Sequence, residues 1–198
     1  MKSEFEGQVS IVIYFVSGLD WIFIVFGGIL FFILFTHGYA GIIAASWVPT
    51  WGKDYGRIIK AFEGLQEGTV IDLGCGGGGV MRVLAREYPK ARIIGYEISV
   101  PAWLIAQLLN GLLGLRRRCE VRWQNFYNVS LRDADAVYCF LTPMAMKKLK
   151  PKFERELKPS TIVISYAFQI HGWEGERLVQ DSSVPIFRYI LKYQRISK

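Results

Sequence analysis

Residues 70–80 read VIDLGCGGGGV, an aspartate followed two positions later by a run in which five of six residues, Gly74 to Gly79, are glycine. Such a run can cradle a phosphate, let backbone approach a nucleoside cofactor, or simply be flexible. A phosphate loop needs Gly-Lys-Ser/Thr after its last glycine, and Val80-Met81-Arg82 follows instead, so that chemistry is excluded. Gly74, Gly76 and Gly79 satisfy GxGxxG, a weak match in so glycine-rich a stretch. A dinucleotide or nucleoside site also needs an acid roughly 20 residues on, to hold ribose hydroxyls. Glu97, in Gly95-Tyr96-Glu97, stands there.

These residues need elements to position them. Thr69 to Leu73 is a short apolar strand running into the glycines, and Val80 to Tyr88 reads as the helix after them. Upstream, Tyr55 to Leu65 is helical; downstream come a strand at Ala91 to Tyr96 and an apolar helix at Pro101 to Leu115. Strands at Glu120 to Gln124, Asp135 to Leu141 and Thr161 to Ala167, a lysine-rich helix at Met144 to Leu157 and a strand-like tail at Ile186 to Tyr193 complete the series. The alternation predicts an α/β fold with a mostly parallel, doubly wound sheet and right-handed crossovers.

The remaining N-terminal part has another character. Hydrophobic residues make up 52% of the chain and mean hydropathy is +0.24, which prompts a search for a membrane segment. From Trp21 no charged residue occurs until Lys53, and residues 21–42 match the roughly 20 apolar residues of a spanning helix. A signal peptide fits less well, because Lys2, Glu4 and Glu6 open the chain and the apolar region is long. The expected organisation is a transmembrane anchor in residues 1–45 and a catalytic domain in 46–198. Lys53, Arg57 and Lys60 after the span predict a single-pass protein whose domain faces the cytoplasmic or equivalent inner side. Net charge is +7; the runs Arg116-Arg117-Arg118 and Lys147 to Lys152 suit solvated helix faces or anionic lipid head groups, and no nucleic-acid motif accompanies them. Cys75, Cys119 and Cys139 form no CxxC pair and only His37 and His171 are present, so neither a metal site nor a disulfide framework is expected.

Asp72-Leu73-Gly74-Cys75-Gly76-Gly77-Gly78 resembles the DxGxGxG signature of class I S-adenosylmethionine-dependent methyltransferases. The resemblance implies a Rossmann-like methyltransferase sheet, a loop that approaches the methionyl part of the cofactor without neutralising phosphate, and Glu97 on the ribose hydroxyls. The order of features further resembles the membrane-anchored protein lysine methyltransferases that include the ATP synthase c-subunit lysine methyltransferase. An apolar N-terminal segment, Val48-Pro49-Thr50, the loop, Gly95-Tyr96-Glu97, Pro101 with Trp103, Thr142-Pro143-Met144-Ala145-Met146, the following helix and Trp173 carry this likeness over roughly residues 20–175. It implies cofactor contacts from Thr50, Asp72, Gly74, Cys75, Gly76, Gly78, Glu97, Ile98, Asn125, Phe126 and Leu141, with Thr142 and Pro143 at the transfer site. Tyr127, Phe140, Tyr166 and Phe168 are candidate aromatic faces, core packing being their commoner role. The chain departs from the pattern where Gly77 and Gly79 replace an Asp and an Arg, and where Asn125 stands in place of an aspartate. The expected activity is methyl transfer from S-adenosylmethionine to lysines of membrane-associated proteins, with the lipid bilayer as a partner and no nucleic acid. Alternatives are methylation of a lipid head group or apolar small molecule, and a silent cofactor-binding membrane protein.

Overall fold

The computed structural model describes residues 20–36, 38–39, 49–178 and 184–191. The chain divides into two units, Met1–Thr36 and His37–Lys198. In the first, residues 20–36 form helix α1, whose side chains are almost all exposed. Among the described residues no helix is long and apolar enough to cross a membrane. The span expected at 21–42 is therefore not found; residue 37 and residues 40–42 lie outside the described residues, as does Val48 of the Val-Pro-Thr element.

The second unit is built on one sheet. Its strands are β1 (Gly68–Leu73), β2 (Ala91–Glu97), β3 (Cys119–Trp123), β4 (Ala136–Cys139), β5 (Ile162–Tyr166), β6 (Glu176–Leu178) and β7 (Ile186–Ile190). The order is β3-β2-β1-β4-β5-β7-β6, parallel except that β7 runs antiparallel to both neighbours. The doubly wound expectation is met. The helices are α2 (Tyr55–Ala61), α3 (Gly79–Glu87), α4 (Val100–Leu112) and α5 (Pro143–Glu156). Ile58 and Phe62 at α2, Met81 and Leu84 of α3 and Ala106 of α4 pack on one sheet face; Met146, Leu149 and Phe153 of α5 pack on the other.

Several boundaries differ from the sequence reading; α4, for one, ends at Leu112 rather than Leu115. Helix α2 stops at Ala61 rather than Leu65, because the amides of Phe62 and Glu63 turn to Ile59 and Lys60 carbonyls and Gly64 takes φ 98°. Within the described residues the tail pairs as β7 over Ile186–Ile190, residues 192 and 193 of the expected strand lying outside them, and β6, three residues beside it, carries no apolar run that would reveal it. Cys75, Cys119 and Cys139 are free and buried.

The strand order reverses between β1 and β4. In such sheets the ligand crevice lies beyond the carboxyl ends of the strands at this switch point. The glycine run, Glu97 and residues 140–143 all follow those strand ends.

Candidate active site

The glycine loop is held at nearly every step. The amides of Gly74 and Cys75 donate to the Tyr96 carbonyl at 2.9 and 3.1 Å, and that of Gly78 to the Cys75 carbonyl at 2.9 Å. The amide of Gly76 donates to Glu97 Oε2 at 2.8 Å. Gly74, Gly76 and Gly78 take φ of 75°, 52° and 75°, the left-handed region that side chains disfavour. A Cβ on Gly74 would sit 3.1 Å from Leu141 Cδ2, so the absence of a side chain lets the loop close on the end of β4. Flexibility is thus not the loop's function.

Glu97 is the hub. It is 7% exposed, and its Oε1 accepts from the amides of Ile98 and Ser99 at 2.8 and 2.7 Å, bracing the start of α4 while Oε2 braces the loop. Oε1 thus accepts two bonds, and Oε2, which accepts one, has a further lone pair to offer a hydroxyl. Asp72 is 2% exposed, opposite Gly95 on β2 and Tyr138 on β4. Burial, and then the nearby Glu97 charge, push its carboxyl up to about 8. Cys75 is buried between the same strands, its thiol pushed well above its ordinary range by burial. Gly95 accommodates it: a Cβ there would lie 2.6 Å from Cys75 Sγ.

The other expected residues are brought to the same edge. Thr50 Oγ1 lies 3.1 Å from the Tyr138 hydroxyl. Phe126 is buried with its ring edge 4.0 Å from where a Gly74 Cβ would lie, and Leu141 is buried beside it. Asn125 Oδ1 accepts from the Tyr127 amide at 3.0 Å and so caps the turn Phe126–Asn128. Thr142 and Pro143 open α5: the Thr142 hydroxyl accepts from the Ala145 amide at 3.3 Å and Pro143 takes the first helical turn. Of the aromatic candidates, Phe140 and Tyr166 meet edge to face at 4.8 Å, Tyr127 stacks on Phe126 at 4.6 Å, and Phe168 is partly exposed.

Sequence reasoning missed four residues of this edge. Tyr138 lies beside Asp72 only because of the β1–β4 register. Arg82, one helical turn past the loop, donates to the Gly77 carbonyl at 2.6 Å and so braces the loop. Asp54, 2% exposed, accepts from the Tyr166 hydroxyl at 2.6 Å and from Arg57 at 2.8 Å, tying the segment before α2 to β5. Hydrogen bonds from these donors, together with the Arg57 and Lys53 charges, outweigh burial and hold its carboxyl below the usual range.

The fourth is Tyr55, whose hydroxyl occupies the space a Cβ on Gly79 would fill. Gly79→Ala should therefore lower stability by about 1–3 kcal/mol through overpacking. In a Tyr55→Phe background the same change should be neutral or stabilising, since alanine is the better helix former by about 1 kcal/mol. Urea unfolding of the four proteins in this cycle measures the coupling; an equal effect in both backgrounds would remove Tyr55 as the cause.

The fit to S-adenosylmethionine can be judged from these residues: a loop with room for close backbone approach, a buried carboxylate with spare acceptor capacity, and a second buried carboxyl, Asp72, just before the loop. Residues 72–177 match the ANTKMT methyltransferase domain family. A protein-lysine N-methyltransferase of Saccharolobus islandicus (strain REY15A) is 33% identical over 137 residues, 68% of this chain and 83% of that one. The adenine nucleotide translocase lysine N-methyltransferase of Mus musculus is 28% identical over 126 residues, of which this chain spans 53% of the length. Among solved structures, an RNA methyltransferase from Salinibacter ruber in complex with S-adenosyl-L-homocysteine superposes with TM-score 0.70 at 24% identity, covering 76% of this chain and 98% of that one. That likeness speaks for the fold. Carried by the family match and by the loop anchored on Glu97, the conclusion is that the chain belongs to the ANTKMT methyltransferase domain family and is an S-adenosylmethionine-dependent methyltransferase.

Proposed function

We propose that the protein methylates lysine side chains of protein substrates. The observation that carries this reading is the 33% identity to a protein-lysine N-methyltransferase across 83% of that relative. Bound S-adenosylmethionine supplies a methyl group on a sulfonium, and the transfer is an in-line displacement in which positioning supplies much of the rate. In this reading Glu97 accepts from a ribose hydroxyl through Oε2, Asp72 faces the cofactor's amino end, and Phe126 and Leu141 flank its base. Gly74, Gly76 and Gly78 leave room for the methionyl part.

The acceptor approaches over the ends of β4 and β5, past the Thr50–Tyr138 hydroxyl pair and the Phe140–Tyr166 rings. A lysine amine, with a reference pKa of about 10.4, must lose a proton before it attacks. Aromatic, poorly hydrated walls favour the neutral amine. Burial pushes the Tyr138 hydroxyl well above its ordinary range, so it stays protonated and orients rather than accepts the amine's proton.

The test is incubation of cell membranes and soluble extract with radiolabelled S-adenosylmethionine and the enzyme, followed by mass spectrometry of the labelled fraction. Methyllysine in protein is the expected result. Label in lipid with unmodified protein would overturn the lysine reading in favour of head-group methylation.

A further inference from the structure

We propose that the outer face of α4 is a docking surface for an anionic lipid bilayer. The helix, VPAWLIAQLLNGL, contains no charged residue over Val100–Leu112. A surface helix of a globular domain presents polar side chains to solvent. Here Ala102, Ala106 and Asn110 face the sheet, while Leu104, Ile105, Leu108 and Leu112 point outward, the last two 60% and 74% exposed. Leu113 and Trp123 extend the apolar area, the latter donating its indole N–H to the Ile98 carbonyl at 2.8 Å.

The chemistry of this face selects its occupant. Its polar groups are turned inward: Gln107 donates to the Val121 carbonyl and Asn110 to the Cys119 carbonyl. A protein interface carries about one hydrogen bond per 100–200 Å², and the outward residues of α4 have no group to make one. Hydrocarbon requires none. The charges lie at the rim. Arg116 and Arg117 are exposed just past the helix, with the Arg116 guanidinium beside Gly111 in its last turn. An apolar helical stripe, a tryptophan and arginines at the edge are the pattern of a helix lying in the bilayer interface, cations toward anionic head groups. The face adjoins the site, because α4 begins at the amide of Ser99, next to Glu97. The inference stands independently of which acceptor is methylated.

The test uses the full chain labelled with an environment-sensitive fluorophore at Leu108→Cys, the native thiols being buried. A second label at exposed Lys147→Cys on α5 reports the opposite sheet face. Vesicles of phosphatidylcholine with phosphatidylserine should blue-shift the probe at 108 and leave that at 147 unchanged. Arg116→Ala with Arg117→Ala should weaken the response about fivefold per arginine. Vesicle attachment with an unshifted probe at 108 would overturn the proposal, since the protein would then be held elsewhere. So would a probe already shielded without lipid: at all dilutions the chain's own apolar segment would cover the face, and only at high concentration a second copy would.

Discussion

Glu97→Ala is expected to abolish measurable binding of S-adenosylmethionine. The carboxylate joins two otherwise separate pieces of backbone, the loop at Gly76 and the start of α4 at Ile98 and Ser99. Removing it leaves buried amides without acceptors and takes away the proposed acceptor of a ribose hydroxyl. A hydrogen bond to a charged group contributes about 1.5–3 kcal/mol, so losing one ribose contact alone should weaken binding by roughly 10–10²-fold, and loss of the loop's anchor at Gly76 adds to it. Glu97→Gln separates the two roles. It retains one oxygen acceptor and the side-chain volume, and so should melt nearer to the parent than Glu97→Ala while still binding poorly. Titration calorimetry with S-adenosylhomocysteine, alongside melting curves of the free proteins, measures both. Unchanged affinity in Glu97→Ala would sink the assignment of Glu97 to the cofactor.

The second large effect is a pH dependence centred on Asp72. Its carboxyl titrates near 8 in the folded protein against an ordinary value of 3.8. Between those values the folded state holds a proton that the unfolded chain has released, so stability falls as pH rises. Below about pH 4 the contribution is intact; above about pH 8 the loss is complete, on the order of 5 kcal/mol. Asp72→Asn removes this titration. The cofactor-free variant should gain stability relative to the parent as pH is raised from 5 to 9. Binding should show the reverse cost. If Asp72 receives the cationic amino end of the cofactor, it must ionise on binding, so affinity of the parent should rise with pH up to about 8. Asp72→Asn should flatten that rise and bind more weakly above it. Calorimetry at several pH values, in buffers of differing ionisation enthalpy, would detect the proton released. A pH-independent affinity in the parent would contradict the role.

Much of the site's inventory was legible in the residues. An apolar strand, an aspartate, spaced glycines and an acid at the next strand end are local features, and each constrains the backbone within a few residues. Local bonds of other residues were less visible. Asn125, expected beside the adenine, also caps a turn with its side chain, and Thr142 and Pro143, expected at the transfer site, also start α5. Both patterns are short-range hydrogen-bonding habits of Asn, Thr and Pro. The expected span at 21–42 rested on composition, and among the described residues no helix is long and apolar enough to be one.

The sequence by itself determined the α/β class, the order of its main elements, the loop and the two carboxyl groups, because periodicity and glycine placement act over neighbouring residues. Tertiary structure decided what those groups touch. It set Tyr138 beside Asp72 through strand register, filled the space of a missing side chain at Gly79 with the Tyr55 hydroxyl, and drew Asp54 to Tyr166 across 112 residues. It also left one helix with leucines turned outward. Contacts between residues far apart in the chain depend on how the sheet assembles, and no local pattern encodes that.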